Sequence, residues 1–181
     1  MIPPPSQVTV GVLGSGSEEH LDLALPLGRL LARLGVNLLT GAGGGVMNSV
    51  SRAFTEVERV AGICIGIVPC AGAHDRASRK PGYPNPFVEL AIDTHLPLSG
   101  EQGTGDLSRN HINVLSSAAL VVLPGGAGTR SEIELALRYA KPIIIFTSSD
   151  ALVTAFPEGV RRARDIGDVE VFLEEHIPQR G

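Results

Sequence analysis

Two cysteines, Cys64 and Cys70, are all that the 181 residues contain. They make no disulfide framework, and their spacing matches no zinc motif. Cys64 sits in the apolar run "GICIGIV" as a small core residue, and a reducing, cytoplasmic setting is the simplest expectation. The five histidines (His20, His74, His95, His111 and His176) are scattered without the paired spacing of a metal-binding helix, so no protein-ligated metal is expected. Charge is sparse: 19% of residues are Asp, Glu, Lys or Arg, and the net charge is −4. With no broad basic surface, nucleic acid is not an expected partner. No apolar stretch approaches the length of a membrane span, and the opening "MIPPPSQ" has neither the basic region nor the apolar core of a signal peptide. No membrane partner is expected either. Tryptophan is missing too, yet apolar residues reach 43%, a globular composition rather than a disordered or fibrous one.

Glycine, by contrast, is plentiful, with 22 residues, and much of it falls where apolar runs end. Short runs at 8–13, 36–40, 62–68, 87–92, 119–123 and 142–146 read as buried strands. Between them lie patterns of helical period at 21–34 (ended by Gly35), 46–57, 107–117 and 129–140, with a further helix over 150–164. Residues 169–172 read as a last strand or turn before a short helical end. Strands alternating with amphipathic helices imply an α/β fold: one doubly wound, Rossmann-like parallel sheet with helices on both faces. A single domain over 1–181 is expected, with a flexible N-terminus at 1–6. The Pro-, Gly- and charge-rich stretch 69–86 reads as an excursion over the surface, poised as a lid.

In such folds ligands sit at the carboxyl ends of the strands, near the point where the strand order reverses. Three glycine-rich loops leave strand ends there: Gly14 to Ser17 after the first strand, with Gly14, Ser15 and Gly16 as candidate contacts; Gly41 to Gly45 after the second, with Gly43, Gly44 and Gly45; and Gly125, Gly126, Ala127 and Gly128 after the fifth. A helix N-terminus offers unpaired N–H groups and a partial positive charge, and glycine lets an anion approach that backbone. Three such loops on one edge favour a phosphate site over plain tight turns. Thr129 either caps the following helix or gives its hydroxyl to a phosphate. No loop matches the dinucleotide fingerprint, Thr40 stands where an acidic residue would close the second strand, and no Walker lysine is present. A classical NAD or ATP site is therefore not indicated.

Arg109, Asn113 and Ser116 fall on one stripe of the helix before the fifth strand, and Leu107, His111, Val114, Leu115 and Ala118 on another. The polar stripe is either solvated surface or a ligand contact, for which Arg109 suits bidentate oxyanion recognition. Glu132 admits three readings: a first-turn acid favoured by the helix dipole, the partner of Thr129 in a capping box, or a carboxylate at the pocket mouth.

The stretch "PGGAGTRSE", residues 124–132, resembles the P-G-G-x-G-T-x-x-E signature of the LOG family of Rossmann-type, "lysine decarboxylase-like" proteins. Members of that family are phosphoribohydrolases that release base and ribose 5-phosphate from cytokinin nucleoside 5′-monophosphates. By this resemblance Arg109 and Glu132 match the catalytic pair, and Gly125, Gly126, Gly128 and Thr129 match the phosphate loop. The family usually has R-K-x-x-M where this chain has "RNHIN", so Asn110 and Asn113 depart from it. The segment "RNHINVLSS" is similar instead to the sister branch of molybdenum cofactor carrier proteins, which bind a phosphorylated pterin. The resemblance implies a binding protein for a phosphorylated small molecule, with molybdenum cofactor (molybdopterin) as the bound ligand. The alternatives are a nucleoside monophosphate hydrolase and a nucleotide sensor. It also implies a homo-oligomer, dimer or tetramer, with Ile133, Leu137 and Tyr139 offering apolar contacts.

Overall fold

Strand β1 (Thr9–Leu13) is buried from its second residue onward, as a strand covered on both faces must be. It pairs in parallel with β2 (Asn37–Thr40) on one side and with β7 (Ala119–Val122) on the other. These strands belong to a computed structural model that describes residues 8–59, 61–148 and 159–177. Among them, seven strands form one parallel sheet in the order β6-β3-β2-β1-β7-β8-β9. The other members are β3 (Cys64–Val68), β6 (Leu90–Asp93), β8 (Ile143–Phe146) and β9 (Arg161–Ala163). From β1 the chain moves outward through β2 and β3 to β6, then returns to lay β7 against β1 and continues outward on the other side. The crevice between β1 and β7 is therefore the topological switch point.

Alternation along the strands feeds two cores. Val10, Val12, Ala119, Val121, Ile144 and Phe146 face one side, with α1 (Leu21–Leu34), α2 (Val46–Thr55) and α5 (Ile166–His176). Leu120, Val122, Ile143 and Ile145 face the other, with Val114 of α3 (Asn110–Leu115) and Ile133, Leu135 and Ala136 of α4 (Ala127–Arg138). Helices thus cover both faces, as the α/β pattern implies. Leu27, Leu30, Leu31 and Phe54 are fully buried between α1, α2 and the sheet, each contributing about 1.5–3 kcal/mol of apolar burial. The two helices meet closely because α1 carries Gly28: a Cβ there would stand 2.6 Å from the Val50 carbonyl oxygen. Helix α1 stops, as expected, at Gly35, whose φ of 64° suits the left-handed cap.

Several expected boundaries move. Helix α3 spans six residues rather than eleven, because Leu98 and Ser108 bridge and Gly100–Gln102 turns as a short 3-10 helix. Of the apolar stripe read there, Leu107 and Leu115 are 43% and 50% exposed, and Val114 alone is fully buried. The excursion at 69–86 carries an antiparallel hairpin, β4 (Cys70–Gly72) and β5 (Asp75–Arg79). Strand β5 is exposed throughout, and its Arg79 pairs with Asp93 of β6 at 2.6 Å. The helix expected over 150–164 lies largely outside the described residues, and its described end is strand β9, paired with β8. Residues 169–172 belong to α5, not to a strand. Asp165 starts that helix by accepting from the Asp168 N–H at 3.0 Å, and Val169, Phe172 and Leu173 bury against the sheet. The N-terminal stretch 1–6 lies outside the described residues.

Candidate functional site

A cavity of about 320 Å³ opens at the switch point, lined by residues from β1, the loops after β1, β2 and β7, and the starts of α3 and α4. Its floor is the loop after β7. Helix α4 begins at Ala127 with Gly126 as N-cap and no side-chain cap, so the first amides of the helix have no partner within it. Thr129 is consequently the third residue of the helix and Glu132 the sixth. The capping box between them does not form, and Glu132 is not a first-turn acid.

The glycines here divide by what a side chain would meet. At Gly125 a Cβ would collide with Thr129 Oγ1 and stand 2.8 Å from the Ser15 backbone nitrogen. That nitrogen donates to the Pro124 carbonyl at 3.0 Å, locking the loops after β1 and β7 together. At Gly126 a Cβ would meet nothing within 4 Å, and at Gly128 and Gly16 only ordinary contacts. Those three glycines line the cavity. The protein's own packing does not require them to lack a side chain, whereas an anion approaching the backbone does.

The loop after β2 contributes differently from expectation. Gly41 lines the cavity, while Gly43, Gly44 and Gly45 are not in its lining and Gly44 is exposed. Gly45 holds a φ of 55° as the N-cap of α2, packed against the Ser15 carbonyl, where a side chain has no room. Ser15 itself is 8% exposed, and its Oγ accepts from the Ser17 and Glu18 amides at 3.2 and 2.9 Å. Gly14 and Ser15 complete this wall with Gly16.

Arg109 is the cationic centre. It is only 6% exposed, it lines the cavity, and its Nε and Nη1 have no hydrogen-bond partner. The guanidinium lies against Gly41, where a Cβ would collide with it, and its Cζ is 5.8 Å from the centre of the Tyr83 ring. Tyr83 arrives from the 69–86 excursion. Asn85 straps that segment to the loop after β2: its N–H donates to the Ala42 carbonyl at 2.8 Å and its Nδ2 to the Gly43 carbonyl at 3.0 Å. Lys80 stands 5.6 Å from the same ring, so cations lie within cation–π reach of the ring from both the cavity and the surface. Ser99 and Gly100 close the opposite rim, held to α4 by the Ser131 hydroxyl donating to the Gly100 carbonyl at 2.8 Å.

Glu132 lines the cavity at 9% exposure, and its Oε1 accepts from Asn113 Nδ2 at 2.8 Å. Burial pushes its carboxyl above the ordinary range; the Asn113 hydrogen bond and the Arg109 charge pull the other way without cancelling it. Asn113 is fully buried behind Glu132, its Oδ1 without a partner. Of the expected site residues, Gly14, Ser15, Gly16, Arg109, Gly126, Gly128, Thr129 and Glu132 come together in the lining. Gly43, Gly45, Asn113, Gly125 and Ala127 stand outside the lining, and Gly44 and Ser116 are exposed. Tyr83, Asn110 and Ser99 join the lining unforeseen, with Gly100 beside them. The available signal for Tyr83 was its rarity, as one of two tyrosines, within a stretch otherwise without large apolar side chains.

A cavity at the switch point of a doubly wound parallel sheet, floored by "PGGAGT" and faced by Arg109 and Glu132, defines a Rossmann-type protein of the LOG-like superfamily. The chain belongs to the SLOG cluster4 family, whose profile matches residues 7–170. An uncharacterized protein of Archaeoglobus fulgidus is 32% identical over 136 residues, 74% of this chain and 76% of that one. Among solved structures, the molybdenum cofactor binding protein of Rippkaea orientalis superposes with a TM-score of 0.71 at 30% identity, over 95% of this chain and 98% of that one. The molybdenum cofactor carrier protein of Chlamydomonas reinhardtii does so with a TM-score of 0.69 at 26% identity, over 94% and 98%.

Proposed function

We propose that this protein binds and holds a phosphorylated small molecule, with molybdenum cofactor as the foremost candidate. The observation that carries the reading is Arg109, a buried cation whose Nε and Nη1 have no partner, in one cavity with three glycines that nothing in the protein needs bare. Such donors are costly to leave unmade, and an oxyanion satisfies them. Gly126, Gly128 and Thr129 at the start of α4 receive the phosphate, and Arg109 takes a second edge of it or another anionic group. Tyr83 and the Ser99–Gly100 rim border the organic part. The two similar solved structures, a molybdenum cofactor binding protein and a molybdenum cofactor carrier protein, support the pterin.

The hydrolase reading rests on Glu132, which shares the cavity with Arg109. Its carboxyl is held by Asn113 and its pKa is raised by burial, a tuning that general acid–base catalysis also uses, so the hydrolase is the second reading, which the experiment below separates. We place the protein in the cytoplasm: Cys64 and Cys70 are both free and buried, which suits a reducing compartment. No helix among the described residues is long and apolar enough to cross a membrane. A homo-oligomer is supported by Leu137, 46% exposed on α4, and by Leu115 on α3. Ile133 cannot contribute to such a contact, since it is fully buried in the core.

The test is direct. The purified chain is incubated with molybdopterin, then with AMP and cytokinin riboside monophosphates. Bound pterin recovered unchanged, together with no free base, is expected. Release of base that Glu132→Ala abolishes would replace this reading with the hydrolase.

A further inference from the structure

Glu132 stands in the cavity wall with one oxygen already engaged. Asn113 Nδ2 donates to Oε1 at 2.8 Å, and both residues are buried. Among the described residues, the ion pairs of the protein leave Glu132 out. An unpaired carboxylate in such surroundings is costly, and a neutral carboxyl keeps one O–H donor. With Oε1 turned to Asn113, that donor is Oε2. We propose that Glu132 binds as a neutral acid, its Oε2–H donating a hydrogen bond to an acceptor atom of the ligand whose anionic group sits on Arg109, and that Asn113 is the positioning residue that keeps Oε1 turned away. The inference rests on the anion-binding reading above and narrows it. At this wall the ligand presents a lone pair, such as a phosphoryl oxygen, a ring carbonyl or a ring nitrogen, rather than an ammonium or amide N–H.

Binding then carries a proton. Affinity is highest while Glu132 is protonated and falls as pH rises through its pKa, because the donor is lost and a negative charge appears beside the anion. Other groups near the cavity are Arg109 at the start of α3, Tyr83 of the excursion, and His111 of α3. His111 is held by the Tyr139 hydroxyl at 2.7 Å and the Gly105 carbonyl at 3.1 Å. Further out, Glu101 and Asp106 on the rim and Glu18 after β1 are exposed, the last paired with His20 at 3.2 Å.

Sulfate is the probe, because it accepts hydrogen bonds and does not itself titrate over the window from about pH 4, near the ordinary glutamate value, up to about pH 9. Calorimetric titrations compare the wild-type chain with Glu132→Gln, Glu132→Ala and Asn113→Ala across that window. Wild-type affinity is expected to fall roughly tenfold or more with rising pH, the worth of a hydrogen bond to a charged group. Glutamine keeps an oxygen for Asn113 and an N–H for the ligand, so it should restore binding at high pH and flatten the profile. Alanine should bind roughly tenfold more weakly than wild type at low pH. Asn113→Ala should move the midpoint upward, since the amide donor favours the ionised form. Glutamine binding as weakly as alanine at every pH would overturn the inference alone, as would a pH dependence unchanged in Glu132→Gln, which would belong to the histidines. A wild-type chain that binds no sulfate at any pH would overturn it together with the anion site.

Discussion

Replacing Gly126 and Gly125 by alanine, one at a time, separates a glycine kept for a ligand from a glycine kept for the fold. At Gly126 the new methyl meets no protein atom within 4 Å. The remaining cost is that of alanine in place of glycine as the N-cap of α4, up to about 1 kcal/mol. In a chain of this size that lowers Tm by less than about 4 °C. The same methyl stands where an oxyanion would approach the α4 amides. Losing one charge-assisted hydrogen bond at about 1.5–3 kcal/mol weakens anion binding by roughly tenfold to a hundredfold. At Gly125 the methyl overlaps Thr129 Oγ1, which can rotate, and crowds the Ser15 nitrogen at 2.8 Å, which cannot move because it is bonded to Pro124. Overpacking of that kind costs about 1–3 kcal/mol, or about 3 to 10 °C. Thermal unfolding without ligand and calorimetry with phosphate or sulfate read the two effects apart. If Gly126→Ala binds the anion like the wild type, the floor of the cavity is not an anion cradle. If it unfolds as early as Gly125→Ala, the division of the glycines is wrong.

Three further outcomes are expected. Glu132→Gln should match the wild type in stability at about pH 4 and exceed it increasingly toward alkaline pH. The folded carboxyl lies above its ordinary value, so stability is intact below the unfolded pKa and is lost as pH rises through the folded one; each unit between the two is worth about 1.4 kcal/mol. Denaturant midpoints across pH check this, and parallel curves would refute it. Gly28→Ala should destabilise by about 1–3 kcal/mol, since its methyl would press on the Val50 carbonyl at 2.6 Å and Ala53 Cβ at 2.8 Å; urea unfolding measures it. The Cys64 thiol, fully buried and pushed up to about 11 chiefly by desolvation, should resist thiol reagents at neutral pH until the protein unfolds, as mass spectrometry of labelled peptides would show.

The sheet was legible because its inner strands are apolar on both faces: "VTVGVL", "ALVVL" and "IIIF" have no other plausible place. The edges were not. Strand β9 is "RRA", with two exposed arginines and no alternation, and β5, "DRASR", is exposed along its whole length. Helix α5 was hidden because Gly167 and two valines weaken its pattern, while its start is set by the Asp165 cap. In the site, glycine loops and Arg109 could be read from position alone, since strand ends and helix starts converge at the switch point. Tyr83 could not: it reaches the cavity through two hydrogen bonds from Asn85, a contact across 42 positions of chain that no local pattern encodes. The capping box failed for a local reason. Gly126 has the backbone of an N-cap and starts α4 ahead of Thr129.

The bond from the Ser15 nitrogen to the Pro124 carbonyl joins two loops that are remote in sequence and adjacent in space. The cavity walls follow the same division, with positions 12–17 on one side and 126–132 on the other. A molecule seated between them acts as a removable staple across the fold. No fragment holding one side of the crevice can grip it, so occupancy reports on the assembly of both wings of the sheet. At a hundred times its dissociation constant such a staple adds about 2.7 kcal/mol to global unfolding. Slowed hydrogen exchange should therefore reach β3, two strands from β1, and β8, next to β7, and not only the loops that line the cavity.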